Sequence, residues 1–268
     1  METQRVVVCV DGIVSSAVRP FTAGIGWQDF ASLLRQRRPD LEVVHLVQPY
    51  DWLEILTGKA AGYDELVRKM VEDLRAQPLG AWREVVALGF SLGGLTALNV
   101  AHQLTQTVGG MRPEYLAYVT FGAPFGGTKP LSDELLKKIR ISYLERIYAR
   151  RATLLYFREL VAAAQLISVR IMLHAIENDE LVAEESALLP SEWLDFAQPG
   201  GDLRWGTYGV PMPWPRFRPH DTLLRNPVSI AYIDGLIDGL LPPDRETRYE
   251  PVQTRRGRAI YARAEQAV

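Results

Sequence analysis

Cysteine is nearly absent from this chain. Cys9 is the only one, so no internal disulfide can form, and its place inside RVVVCV (5–10) suits a small core residue. An excess of either charge is also missing. Lys and Arg number 30 against 32 Asp and Glu, a net charge of −2, which leaves none of the basic surplus that binding to nucleic acid requires. Long hydrophobic runs are lacking too, since charges interrupt every apolar stretch well before the ~18 residues of a membrane span. The start, METQRVVVCVDG, enters a strand-like run almost at once, without the basic segment and apolar core of an export signal. Together these absences predict a soluble protein of a reducing, cytoplasmic compartment with no nucleic-acid partner.

What the chain does have is apolar residues, 47% of 268, enough for one large domain. Short β-branched runs alternate with helical patterns, as in a mostly parallel sheet flanked by helices. RVVVCV (5–10), LEVVHLV (41–47), EVVALGF (84–90), YLAYVTFG (115–122) and SVRIMLHA (168–175) read as strands. WQDFASLLRQRR (27–38), YDELVRKMVEDLRA (63–76), GLTALNVAHQL (94–104) and PVSIAYIDGLIDGLL (227–241) read as helices, the second with an i, i+4, i+8 stripe at Leu66, Met70 and Leu74. Between the late strands lies a helical insertion, 131–165, too long for a simple crossover and read as a cap. It is rich in Leu, Ile and Tyr and carries more basic than acidic residues. Ordinary packing on the sheet accounts for most of it, with some residues left for a hydrophobic entrance and transient contact with a membrane interface. The Pro- and Gly-punctuated stretch 190–219 is expected to be irregular loop. The domain is taken as 1–241, followed by a peripheral, arginine-bearing tail, 242–268.

The octet ALGFSLGG (87–94) places a hydroxyl between glycines where a strand meets a helix. Gly89, Ser91 and Gly93 form G-x-S-x-G, whose glycines keep Cβ atoms out of a sharp turn that lifts the serine above the sheet. There the amide of Leu92, opening the helix, points toward a developing oxyanion. The plain alternative is a glycine-rich turn with a capping serine.

Through GFSLGG (89–94), TFGAPFGGT (120–128), HAIENDELVAEESA (174–187) and RPHDTLL (218–224), the chain resembles the α/β-hydrolase family, in particular its lipase- and esterase-like members. The resemblance runs from Arg5 to about Leu241 and implies a catalytic order of Ser, acid, His. It makes Ser91 the nucleophile, His220 the general base and later general acid, and Asp179 the acid that orients the imidazole, with Glu177 and Glu180 as close competitors. His45 and His102 are read as structural, His174 as a neighbour of the site, and Asp221 as a cap of the last helix. The second oxyanion donor is expected at the amide of Ile13. Family members often carry His-Gly before that point, where this chain has Asp11-Gly12, and Asp11 is read as bonding loop amides.

The function so implied is hydrolysis of carboxylic esters with apolar acyl groups, on a small-molecule or lipid substrate, without metal or organic cofactor. Thioester hydrolysis and acyl transfer would use the same machinery. A catalytically silent lipid- or protein-binding member is the reading from a different class, prompted by Asp11 and the crowded acid loop. Oligomeric state is not legible.

Overall fold

A computed structural model describes residues 4–12, 27–47, 63–76, 82–106, 112–128, 150–188, 202–210, 220, 223–242, 249–253 and 259–263. Its main elements are β1 (Gln4–Val10), α1 (Trp27–Arg37), β2 (Leu41–Leu46), α2 (Tyr63–Ala76), β3 (Trp82–Phe90), α3 (Leu92–Thr105), β4 (Tyr115–Phe121), α4 (Arg150–Ala163), β5 (Ser168–Ile176), the short α5 (Glu184–Ala187), β6 (Leu203–Val210) and α6 (Pro227–Leu240). Six strands form one sheet in the order β2-β1-β3-β4-β5-β6, and every pairing is parallel.

A parallel sheet with helices on both faces needs strands that are apolar on both faces, and β1 supplies one. Val6, Val8 and Val10 pack with α2, α3 and α4 through Val67, Leu74, Leu98 and Phe157. Val7 and Cys9 turn the other way, toward Trp27, Phe30 and Leu34 of α1 and Ile233 and Ile237 of α6. The same alternation runs through β3 and β4. Cys9 is fully buried, and burial, with Asp11 beside it, raises its thiol pKa, so it stays an uncharged core residue.

The structure bears on three parts of the sequence reading. Residues 203–210 are not loop: they form β6, in register with β5 from Val169↔Leu203 to Ile176↔Val210. The tail holds a hairpin of β7 (Tyr249–Gln253) and β8 (Ala259–Arg263), paired antiparallel. Of the cap, residues 131–149 lie outside the described residues, whereas α4 joins the core through Phe157 and Leu160, both fully buried. No helix among the described residues is long and apolar enough to cross a membrane.

The last helix is tied to the first by buried charge. Arg38 is fully buried. Its guanidinium donates to both Asp40 oxygens at 2.8 and 2.6 Å, to Asp238 Oδ1 at 2.6 Å and to the Leu241 carbonyl at 2.9 Å. Arg37 adds Asp238 and Asp234 of the same helix. Burial works against the charge on Asp40, yet the bonds from Arg38 hold its carboxyl below the usual range. Arg38→Met removes the cation and leaves two partly hydrated carboxylates facing an apolar stem. The expected loss is about 3 kcal/mol, the low end for breaking a buried pair because Asp40 and Asp238 keep some water. A lower urea midpoint at unchanged slope checks it.

Candidate functional site

The strand-to-helix joint is built from close backbone contacts. Ser91, between β3 and α3, has φ 54° and ψ −133°, a conformation that costs a non-glycine residue roughly 1–3 kcal/mol and persists only where the surroundings impose it. Here they do. The Ser91 amide donates to the Phe121 carbonyl at 2.9 Å, and the Gly94 amide to the Ser91 carbonyl at 2.9 Å. A Cβ on Gly93 would stand 2.4 Å from the carbonyl oxygens of Val10 and Asp11, and one on Gly89 would stand 2.5 Å from Gly94 Cα. Both elbow glycines of the motif are therefore required by space. Although Ser91 precedes α3, its side chain makes no capping hydrogen bond, so the capping role, the plain alternative, is not the one it plays. Leu92 opens α3 and is buried.

His220 and Asp179 meet at the same edge. The imidazole Nδ1 donates to Asp179 Oδ2 at 2.7 Å, with both side chains buried. The other oxygen, Oδ1, accepts the amides of Leu181 and Val182 at 2.7 and 2.9 Å. Val182, three residues past the acid, is buried with Ala175 and Ala187 beneath the loop. The remaining ring nitrogen, Nε2, is buried and has no hydrogen-bond partner, so no bond joins it to Ser91 Oγ. Shared neighbours nevertheless place the two residues together. Phe90, adjacent to Ser91, lies with its ring centroid 4.9 Å from that of His220. Ser91 bonds Phe121, and a Cβ on the next residue, Gly122, would stand 3.1 Å from Asp179 Oδ2 and 3.3 Å from His220 Cε1. Gly122 also has φ +58°. It ends β4 in a turn that needs positive φ, beside the Asp179–His220 pair.

Of the competing carboxylates, Glu180 contacts His220 elsewhere, accepting its backbone amide at 3.0 Å, and Glu177 is exposed. Ile13 and Asp221 lie outside the described residues. The cap of α6 is Asn226, whose side chain accepts the Val228 amide at 3.0 Å. Asp11 differs from expectation: its carboxylate bonds His45 Nε2 at 2.8 Å. Parallel pairing sets Cys9 beside His45, which brings that imidazole to the end of β1. Gly12 follows, where a Cβ would stand 2.9 Å from Ser91 Cβ. The β1 end, the elbow and the Asp179–His220 pair thus share one edge of the sheet. A cavity of about 570 Å³ beside Asp179 has Ile176, Glu177, Val182, Glu184 and Val210 among its walls, which include neither Ser91 nor His220.

No family model matches the chain, and a search of curated proteins finds no match. Solved structures do match. One of the metagenome-derived lipolytic enzymes LipS and LipT superposes with a TM-score of 0.55 at 12% identity, over 88% of this chain and 93% of that one. The chain has the α/β-hydrolase fold. A lipase-esterase related protein from Clostridium acetobutylicum (TM-score 0.46, 11% identity, 89% and 95% covered) and the RedJ thioesterase of prodiginine biosynthesis in Streptomyces coelicolor (0.45, 20%, 87% and 89%) align more loosely.

Within this α/β-hydrolase fold His102 and His174 have partners of their own. His102 on α3 pairs with Glu159 of α4. His174, fully buried, stacks between Phe121 and Tyr208. Its Nδ1 donates to the Thr120 carbonyl at 3.0 Å and its Nε2 accepts from the Tyr232 hydroxyl at 3.0 Å. Both nitrogens are satisfied by a neutral ring, and burial lowers its pKa to about 4. The unfolded chain, with an ordinary histidine pKa near ~6.5, therefore binds a proton that the fold refuses. This part of the stability is complete above pH ~6.5 and is lost as pH falls toward 4, by roughly 3 kcal/mol in all. In His174→Gln, the difference in unfolding free energy between pH 7 and pH 4.5 is expected to shrink by roughly 2 kcal/mol. Identical pH dependence in both proteins would remove His174 as the cause.

Proposed function

We propose that this chain is a serine hydrolase that cleaves carboxylic esters with apolar acyl groups through an acyl-enzyme at Ser91. The observation that carries the reading is a buried carboxylate–imidazole pair with its outer nitrogen open, at the same edge as a serine held on a strained turn and not used as a cap. In the mechanism, His220 Nε2 takes the Ser91 proton as Oγ attacks the ester carbonyl, and returns it to the leaving alcohol. Water, deprotonated by the same nitrogen, then releases the acid. Asp179 holds the proton on Nδ1 and stabilises the imidazolium. The Leu92 amide, at the positive end of α3, donates to the oxyanion, and the amide of Ile13 is assigned as the second donor.

A fluorophosphonate probe followed by peptide mass analysis tests this. The expected result is stoichiometric modification of Ser91 together with turnover of short p-nitrophenyl esters; modification elsewhere, or none, ends the reading. Thioester hydrolysis and acyl transfer share these steps and are separated by product analysis with acyl thioesters or added alcohols. The silent-binder alternative is separated by the same probe, since stoichiometric labelling of Ser91 excludes it.

A further inference from the structure

Asp179 and Glu180 are consecutive, and both grip the same histidine. Asp179 takes the ring at Nδ1, 2.7 Å away; Glu180 Oε2 takes the backbone amide of His220, 3.0 Å away. In extended chain, neighbouring side chains point to opposite sides, so this convergence needs a turn. The loop supplies one directly after the acid, where Asp179 Oδ1 accepts the amides of Leu181 and Val182 at 2.7 and 2.9 Å.

The two contacts differ in what they restrain. A single bond at Nδ1 leaves an imidazole free to pivot about that bond, swinging Nε2 through an arc. A second contact at the residue's own amide fixes the Cα from which the ring hangs, and the arc closes. Among the described residues, Phe90 covers the ring with its planes inclined by 34°, and Gly122 leaves room beside Cε1. Among the described residues, Glu180 is the only side chain bonded to the backbone of His220. Its second oxygen, Oε1, is buried with no hydrogen-bond partner, a desolvation cost that an ordinary solvated loop carboxylate would not carry.

We propose that Glu180 is a positioning residue for His220, fixing the direction of Nε2 toward Ser91 by holding the histidine's backbone while Asp179 holds its ring. This rests on the reading of Ser91 and His220 given above. Glu180 touches no reacting atom; it acts through the histidine. Its contribution belongs to the rate of proton transfer and not to substrate affinity.

Three variants of the full chain separate the possibilities: Glu180→Gln keeps an acceptor oxygen in place without the charge, Glu180→Asp keeps the charge but withdraws the oxygen by one methylene, and Glu180→Ala removes both. Each is assayed for fluorophosphonate labelling of Ser91, for kcat and KM on a short p-nitrophenyl ester, and for its melting temperature. Glu180→Ala and Glu180→Asp are expected to lose about 10²-fold in labelling rate and kcat, the scale of an ångström-sized misplacement, with KM nearly unchanged. Glu180→Gln is expected to stay within a few fold of wild type. The proposal is overturned if folded Glu180→Ala labels at the wild-type rate, or if Glu180→Gln loses as much as Glu180→Ala. A loss confined to KM also overturns it. Should Glu180→Ala fail to fold, the contrast between Glu180→Gln and Glu180→Asp decides alone. Failure of the underlying reading looks different, because then the wild-type protein itself does not label at Ser91.

Discussion

Replacing Ser91 by alanine is expected to lower kcat about 10⁶-fold, the size seen when the nucleophile of such a unit is removed, and to abolish fluorophosphonate labelling. The protein should remain folded. Alanine keeps a Cβ at the same φ of 54°, so the strain of the turn is neither relieved nor increased. The lost hydroxyl made no capping bond, so no helix end is exposed by its removal. A stability change under ~1 kcal/mol, as for a substitution that breaks no structural contact, combined with complete loss of turnover separates a chemical role from a structural one. Unchanged hydrolysis by the alanine variant would move the reaction to another residue. Substantial unfolding would instead make Ser91 part of the scaffold.

The second large effect is expected at the acid. Asp179→Asn should reduce kcat about 10⁴-fold with little change in fold, and the local bonding says why. Oδ1 accepts two backbone amides, from Leu181 and Val182, and an asparagine must keep its carbonyl oxygen there to satisfy them. Its NH₂ then faces His220 Nδ1 and forces that nitrogen to accept. The ring proton moves to Nε2, which can no longer take a proton from Ser91. The loss should appear in kcat and in labelling rate alike, while circular dichroism and melting temperature stay close to wild type. An Asp179→Asn enzyme keeping a tenth or more of its turnover would shift the acid to another carboxylate of the loop.

Much of this was legible in the chain because it is written locally. The β-branched runs of β1, β3, β4 and β5 are apolar on both faces, which only a doubly covered strand tolerates, and the glycines flanking Ser91 stand in one short stretch of sequence, although Gly93 answers to the backbone of Val10 and Asp11. What escaped was set by pairing at a distance. LRWGTYGV (203–210) lies between prolines and contains two glycines, and its Thr207 and Tyr208 are exposed. It is a strand only because β5 offers it a parallel edge. The hairpin in the tail carries Arg263, Glu250 and Pro251, a composition that argues for loop when read alone. Asp11 was assigned to loop amides because nothing in sequence brings position 45 to position 11; strand register does that. In the acid loop, three carboxylates within four residues are ranked only by a residue 41 and 40 positions away: Asp179 meets the His220 ring and Glu180 its backbone amide.

The arginine pair at the end of α1 has a consequence for how the protein is made. Arg37 and Arg38 bond Asp238, 201 and 200 positions later. On the ribosome, at about 5–20 residues per second, Arg37 waits roughly 10–40 s for its counter-charges, and Arg38, with Asp40 two positions on, waits as long for its second. Until then one face of the nascent sheet can be only provisionally covered, and a growing chain arrested short of its last helix must keep the Arg37 guanidinium in water and leave Arg38 to Asp40 alone.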